Sequence, residues 1–283
     1  MIVYRESMVK AAGFDSVPEG HRRLPQADQG AARQGHAGRH GARQRHRRRP
    51  AGCNWLIWAF GGKLVDKNNK VVIDSPETLK ALEYGKELYA TFIPGTLSWL
   101  DPNNNKAFLD GQISLTNNGI SIYYAAKNST DPKVKEMAAD IQHAPFPIGP
   151  VGVPTESHLF FNQMIMKYTK YPNAAKEFLR FMMEQEQFGT WLHGAPAATS
   201  RTPLRGYAAA RRSGRSDPKN TPYRDPVKNL RPAGYAGKLG YASAGAGADF
   251  IVVNMVAEAV ERLEDAEGGD GAGAEARRAL LPV

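Results

Sequence analysis

Residues 74–124 read DSPETLKALEYGKELYATFIPGTLSWLDPNNNKAFLDGQISLTNNGISIYY, and this stretch sets the architecture around it. Asp74 or Ser75 is placed to cap a helix. Pro76 sits in the first turn, where a missing N–H costs nothing, and Glu77 completes a capping box from Asp74. Leu79, Leu82, Leu88, Tyr89 and Phe92 then supply one apolar helical face. After a turn-rich interval, residues 107–110 predict a short helix stopped by Gly111. Residues 113–116 have the composition of a buried strand, and Asn117, Asn118 and Gly119 form a polar turn. Helix, loop, helix, short strand and polar turn build a cleft-forming lobe of an α/β protein, whose ligands sit at the carboxyl ends of strands.

Working outward, residues 1–19 read as the end of a strand and a short helix ending at Gly13. Residues 53–62, CNWLIWAFGG, predict an apolar helix closed by glycines. Residues 63–73 predict a surface hairpin around DKNNK. A polar helix is expected over 128–140, with Asp131 and Pro132 near its start. Residues 141–154, IQHAPFPIGPVGVP, are stiffened by four prolines, and Glu156 leads into a strand over 159–167. The clearest helix spans 173–192, with Ala174, Phe178, Leu179, Met182 and Trp191 inward. Another covers 248–259, with Phe250, Val253 and Val256 inward. The glycine run at 240–247 follows no strand pattern and lacks GK[ST], so it is not read as a phosphate loop.

Three blocks in fixed order carry a resemblance: GGKLVDKNNKVVIDSPETLKALEY (61–84), AFLDGQISLTNNG (107–119) and YPNAAKEFLRFMMEQEQFGTWL (171–192). Together they resemble the extracellular solute-binding proteins of ABC importers, in the maltose-binding-like branch that delivers sugars. The resemblance implies a type II periplasmic-binding-protein fold, α/β with two lobes around a cleft. It also implies a sugar or polyol ligand, the membrane permease subunits of the transporter as partners, and a periplasmic location. A monomer without cofactor is expected. Residues 1–19 resemble a segment lying well inside the first lobe of the family, so the N-terminal lobe is expected to be incomplete. Met1 to Lys10 contain no apolar core of a signal peptide.

Charge divides the chain. The formal net charge is +9, but 17 of the 21 arginines and none of the 16 lysines fall in residues 20–52, 196–215 and 261–283. A basic binding surface mixes both cations, so an abrupt switch to arginine alone has another origin. Residues 21–50 also lack Phe, Tyr, Trp and β-branched residues, the composition of a GC-rich gene read out of frame. Regrouping plausible codons one letter earlier turns residues 21–26 into Thr-Asp-Gly-Phe-Leu-Lys, a family-like helix start. A frameshifted, truncated copy is therefore expected. Residues 1–19 would be a remnant of the first lobe and 20–52 a structureless segment. Residues 53–150 would carry the cleft elements, 151–260 the crossover and C-terminal lobe, and 261–283 an aberrant tail. The alternative reading is a basic nucleic-acid-binding protein acting through 20–52. It lacks interleaved aromatics, and no nucleic-acid partner is expected.

Candidate ligand-binding residues are Asn54, Trp55, Trp99, Asp101, Asn117, Asn118, Tyr123, Glu156 and His158. Flat rings stack on the C–H face of a sugar, while amides and carboxylates take its hydroxyls. The commoner role of a tryptophan such as Trp55 is core packing, Trp99 is equally readable as pinning its loop to the core, and Asn117–Asn118 as plain turn formers. For Asn117, Asn118, Tyr123, Glu156 and His158 it is the resemblance that points to the cleft. No carboxylate pair, no partner for a His-based triad and no metal-ligand spacing stands out, so no enzyme activity and no metal are expected. Cys53 is the single cysteine, which excludes an intramolecular disulfide.

Overall fold

The computed structural model describes residues 1–27, 51–100, 102–157, 163–194, 217–224, 229–238 and 240–267. In chain order its first elements are β1 (Ile2–Arg5), α1 (Glu6–Ala11), α2 (Ala51–Ala59), α3 (Pro76–Tyr89), α4 (Asn103–Leu109) and β2 (Leu115–Asn117). There follow α5 (Ser121–Lys127), α6 (Pro132–Asp140), β3 (Ile141–Ala144) and β4 (Glu156–Ser157). Then come α7 (Pro172–Met182), α8 (Gln185–Gly194), α9 (Thr221–Arg224), β5 (Leu230–Arg231), α10 (Tyr241–Ala248) and α11 (Ile251–Glu267). The chain divides into two compact units, residues 1–157 with 229–283, and residues 158–228.

In the first unit β1 is the central strand, antiparallel to both β2 and β3. Strand alternation puts Ile2, Tyr4, Leu115 and Ala144 on one face, where they join Trp55, Leu56, Trp58, Leu82 and Ala259 in one apolar cluster. The opposite face carries Val3, Thr116 and His143, and there the Tyr123 ring meets His143 edge to face at 5.8 Å. The sheet is thus a layer between helices, the α/β arrangement expected.

The organising helix forms as its sequence dictates, with one change at its start. The cap is Ser75, whose Oγ accepts the Thr78 amide at 3.2 Å, with Pro76 in the first turn. Asp74 does not hold this position, because Ser75 has the extended backbone a cap requires. The buried face is Thr78, Ala81, Leu82, Tyr84, Gly85 and Leu88. Leu79, Tyr89 and Phe92 lie half-buried at its edges. The Tyr84 hydroxyl donates to the His21 carbonyl at 2.7 Å, and burial pushes its pKa up.

The short helix at 107–110 starts earlier, at Asn103, and Gly111 turns the chain with φ 75°. The strand read at 113–116 is displaced to Leu115–Asn117, since pairing with β1 and not composition sets its register. The hairpin at 63–73 closes through a Val65–Val71 bridge.

The segment read as structureless from residue 20 is ordered at its start. His21–Arg23 form a 3-10 turn, and the His21 ring packs edge-on against Phe60 and Tyr84 at 5.3 and 5.2 Å. Leu24 is fully buried in the core cluster. Residues 28–50, the bulk of that block, lie outside the described residues, as do 195–216 and 268–283. At the C-terminal end α11 runs through the expected aberrant tail as far as Glu267. Residues from 229 onward group with the first unit and not with a C-terminal lobe, because α11 packs along α3. The helix read over 248–259 breaks at Phe250, whose φ is 54°, into α10 and α11.

In the second unit the long helix read over 173–192 is two helices, α7 and α8, separated at Met183 and Glu184. No residue of α7 is buried. Phe178, expected inward, is 61% exposed. Of the strand read over 159–167, residues 163–167 are not extended in pairing, and the rest lies outside the described residues. Among the described residues no single helix is long and apolar enough to cross a membrane.

Candidate functional site

The first unit gathers polar side chains where β2 ends, where α2 begins and where β4 leaves the proline-stiffened segment. Asn54, in the first turns of α2, is buried and points its Nδ2 toward Ser157 Oγ at 3.5 Å. Glu156, next to Ser157 in β4, is buried, as is Thr155 before it. The Thr155 Oγ1 has no hydrogen-bond partner among the described residues, a costly state for a buried hydroxyl. β4 pairs in parallel with β5, so the two passages of the chain through this point are hydrogen-bonded side by side.

At the end of β2 the asparagine pair splits in direction, as successive strand residues must. Asn118 is almost fully buried; its Nδ2 donates to Asn105 Oδ1 and its Oδ1 accepts the Gly119 amide at 2.7 Å. Asn117 is half-buried and lies beside α2. A Cβ built on Gly52 would come within 3.0 Å of Asn117 Nδ2. Asn104 Nδ2 donates to Thr116 Oγ1 at 3.2 Å and to the Asn117 carbonyl at 3.5 Å. Asn104 and Asn105 were not among the residues singled out from the sequence. The signal was there, a run of three asparagines at the start of a helix, facing another asparagine pair a dozen positions later.

The aromatic candidates are placed differently from the expectation of an open stacking surface. Trp55 is 3% exposed, its ring stacked on Phe146 at 5.1 Å and its Nε1 donating to the Pro147 carbonyl at 2.9 Å. Both its face and its polar edge are occupied, so it serves as a wall, not as a platform. Tyr123 is buried between Tyr124 and His143 on the far side of the sheet from Trp55. Trp99 is half-buried at the end of a 3-10 turn, Thr96–Ser98. Asp101 and His158 lie outside the described residues. The structure therefore places Asn54 against Ser157, the residue after Glu156, and Asn117 beside Gly52 at the start of the same helix, and sets Tyr123 apart on the other face of the sheet.

This arrangement of carboxamides and one carboxylate suits hydrogen bonding to a polar, uncharged solute. Solved structures share the fold. The maltose-bound MalE3 of T. maritima matches with a TM-score of 0.71 at 20% identity, over 99% of this chain and 69% of that one. A sugar transporter from Arthrobacter chlorophenolicus with bound laminaribiose matches with a TM-score of 0.68 at 17% identity, over 100% of this chain and 70% of that one. The fold is that of the periplasmic binding proteins. Residues 1–222 match the profile of the bacterial extracellular solute-binding proteins, and the chain belongs to that family. A probable ABC transporter-binding protein from Deinococcus radiodurans is 25% identical over 140 residues, which are 48% of this chain and 32% of the relative. The alignment thus spans about a third of that relative's length.

Proposed function

We propose that this chain is a copy of the substrate-binding component of an ABC importer, binding a sugar or related polyol in the periplasm for delivery to the transporter's membrane permease subunits. The observation that carries the reading is that polar side chains, Asn117 beside Gly52 and Asn54 against Ser157, flank the start of α2 in a chain of the solute-binding family. Asn117 offers a donor and an acceptor to ligand hydroxyls. Glu156 accepts, and Trp99 is the aromatic surface left half-open for a pyranose ring. No bond is made or broken in this function; binding and release suffice, with the protein acting as a monomer.

We also infer that the three arginine-only blocks are out-of-frame readings of a once continuous gene, so that this copy binds less well than its restored form. His21 and Leu24, at the start of the first block, pack into the core, so on this reading the first break falls after them. Titration calorimetry with maltose, laminaribiose and D-mannitol tests both points, using the chain as it stands and a chain with the blocks returned to frame. Saturable binding to the restored chain, weakened about tenfold or more by Asn117→Ala or Glu156→Gln, is expected. A folded, restored chain that binds none of the three would sink the reading.

A further inference from the structure

The two adjacent asparagines at the end of β2 differ in every respect the structure records. Asn118 is 3% exposed, with donor and acceptor both engaged, the donor by Asn105 of α4 and the acceptor by the next amide in the chain. Asn117 is half-buried, and its carboxamide makes no hydrogen bond among the described residues. Its backbone carbonyl, by contrast, is held by Asn104. Two neighbours on α4 therefore grip the turn at two points, one by a backbone oxygen and one by a buried side chain. The remaining carboxamide is left projecting beside Gly52, where any larger residue would press on its nitrogen at 3.0 Å.

We propose a division of labour in this pair. Asn104 and Asn105 are positioning residues that clamp the turn, Asn118 is the strut they hold, and Asn117 alone presents a carboxamide to the solute. Gly52 is the residue that keeps the space for it. The inference rests on the solute-binding reading for the role of Asn117, but the clamp itself stands on geometry alone. The physical reason for the clamp is entropic. A free asparagine on a free turn would have to be ordered by the ligand, whereas a turn pinned at two points leaves only the side-chain torsions of Asn117 to fix. Since a carboxamide is uncharged and offers both a donor and an acceptor, the group selected is a vicinal hydroxyl pair over a phosphate or an ammonium.

The test has two independent readouts on the full chain. In nitrogen-15 spectra, with the side-chain amides assigned from Asn117→Asp and Asn118→Asp, the Asn118 NH2 protons are expected to exchange about tenfold or more slowly relative to those of Asn117. Asn105→Ala should erase that protection and lower the melting temperature, as should Asn118→Ala. Asn117→Ala should leave the melting temperature in place while weakening any binding of maltose or laminaribiose about tenfold. Gly52→Ala should do the same, because the atom it crowds is the end of a rotatable side chain. Equal exchange at the two carboxamides, or an Asn117→Ala variant as destabilised as Asn118→Ala, would overturn the proposal. If the parent chain binds neither sugar, the functional reading fails while exchange and melting still decide the clamp.

Discussion

Asp140, the last residue of α6, accepts the Ser7 amide at 2.7 Å and the Ser7 hydroxyl at 2.6 Å across 133 positions of sequence. It closes the N-terminus of α1 from outside. The residue preceding that helix, Arg5, makes no side-chain cap of its own, and instead places its Nε 2.6 Å from the same carboxylate. A negative charge at the end of α6 is unfavourable for the α6 dipole, so its favourable contacts must lie elsewhere; they lie at the start of α1.

The pH dependence of this contact follows. Partial burial alone would raise the Asp140 carboxyl, but the two Ser7 hydrogen bonds and the Arg5 guanidinium outweigh it and hold the pKa below its ordinary value. A carboxyl depressed in the folded state contributes stability that is present above its unfolded pKa and lost as pH falls through the folded value. Asp140→Asn should cost about 1 kcal/mol near neutral pH, from a weakened cap on α1 and the lost ion pair with Arg5, whose two side chains are 17% and 21% exposed. Thermal melts of parent and variant at pH 7 and at pH 3 check this. The gap between them should narrow at the acid end, and an unchanged gap would mean that charge plays no part.

Gly149 gives a steric prediction. A Cβ there would lie 2.4 Å from the Ala59 carbonyl oxygen and 2.6 Å from the Ala59 Cβ, at the end of α2. Backbone cannot yield as a side-chain tip can, so Gly149→Ala should destabilise the first unit by about 1–3 kcal/mol. Gly20, with open space around it and φ −96°, is the control, and Gly20→Ala should leave the denaturation midpoint within about 0.5 kcal/mol of the parent.

At the start of α3, Ser75→Ala should cost about 1 kcal/mol in urea unfolding, and Asp74→Ala much less. The expectation of a box from Asp74 to Glu77 inverts this order. The structure gives Ser75 the cap, with its hydroxyl also within 3.2 Å of Thr78 Oγ1. Equal losses at the two positions would show a cap shared between them.

What was legible in the chain was what short-range physics decides. The Pro76–Tyr89 helix and the glycine stop at Gly111 both follow from neighbours within a turn. The division of labour between Asn117 and Asn118 was not legible, because it depends on which of them Asn105 reaches once α4 is docked. Trp55 presented the same difficulty. An indole three residues from another indole reads as core or as platform. Only the Pro147 carbonyl and the Phe146 ring, some ninety positions on, settle it. The return of α11 to α3 likewise leaves no local trace, since a helix carries no mark of the partner its apolar stripe will meet.

The same limit explains α7, where the amphipathic pattern was correct and the burial was not. Phe178 and Phe181 are 61% and 46% exposed, and Tyr171 and Met183 beside them are also open to solvent. A side chain that buries nothing on folding contributes little to stability, whatever its hydrophobicity. The double variant Phe178→Lys with Phe181→Lys should therefore melt within about 0.5 kcal/mol of the parent, while Leu82→Ala in the core should cost about 2–5 kcal/mol. Solubility should move the other way. Removing a contiguous aromatic patch should raise the concentration at which the chain stays monodisperse in light scattering, and the Leu82 variant should lower it. If the lysine pair instead unfolds the protein, the α7 face is covered in solution, and its burial is then a property of the working molecule.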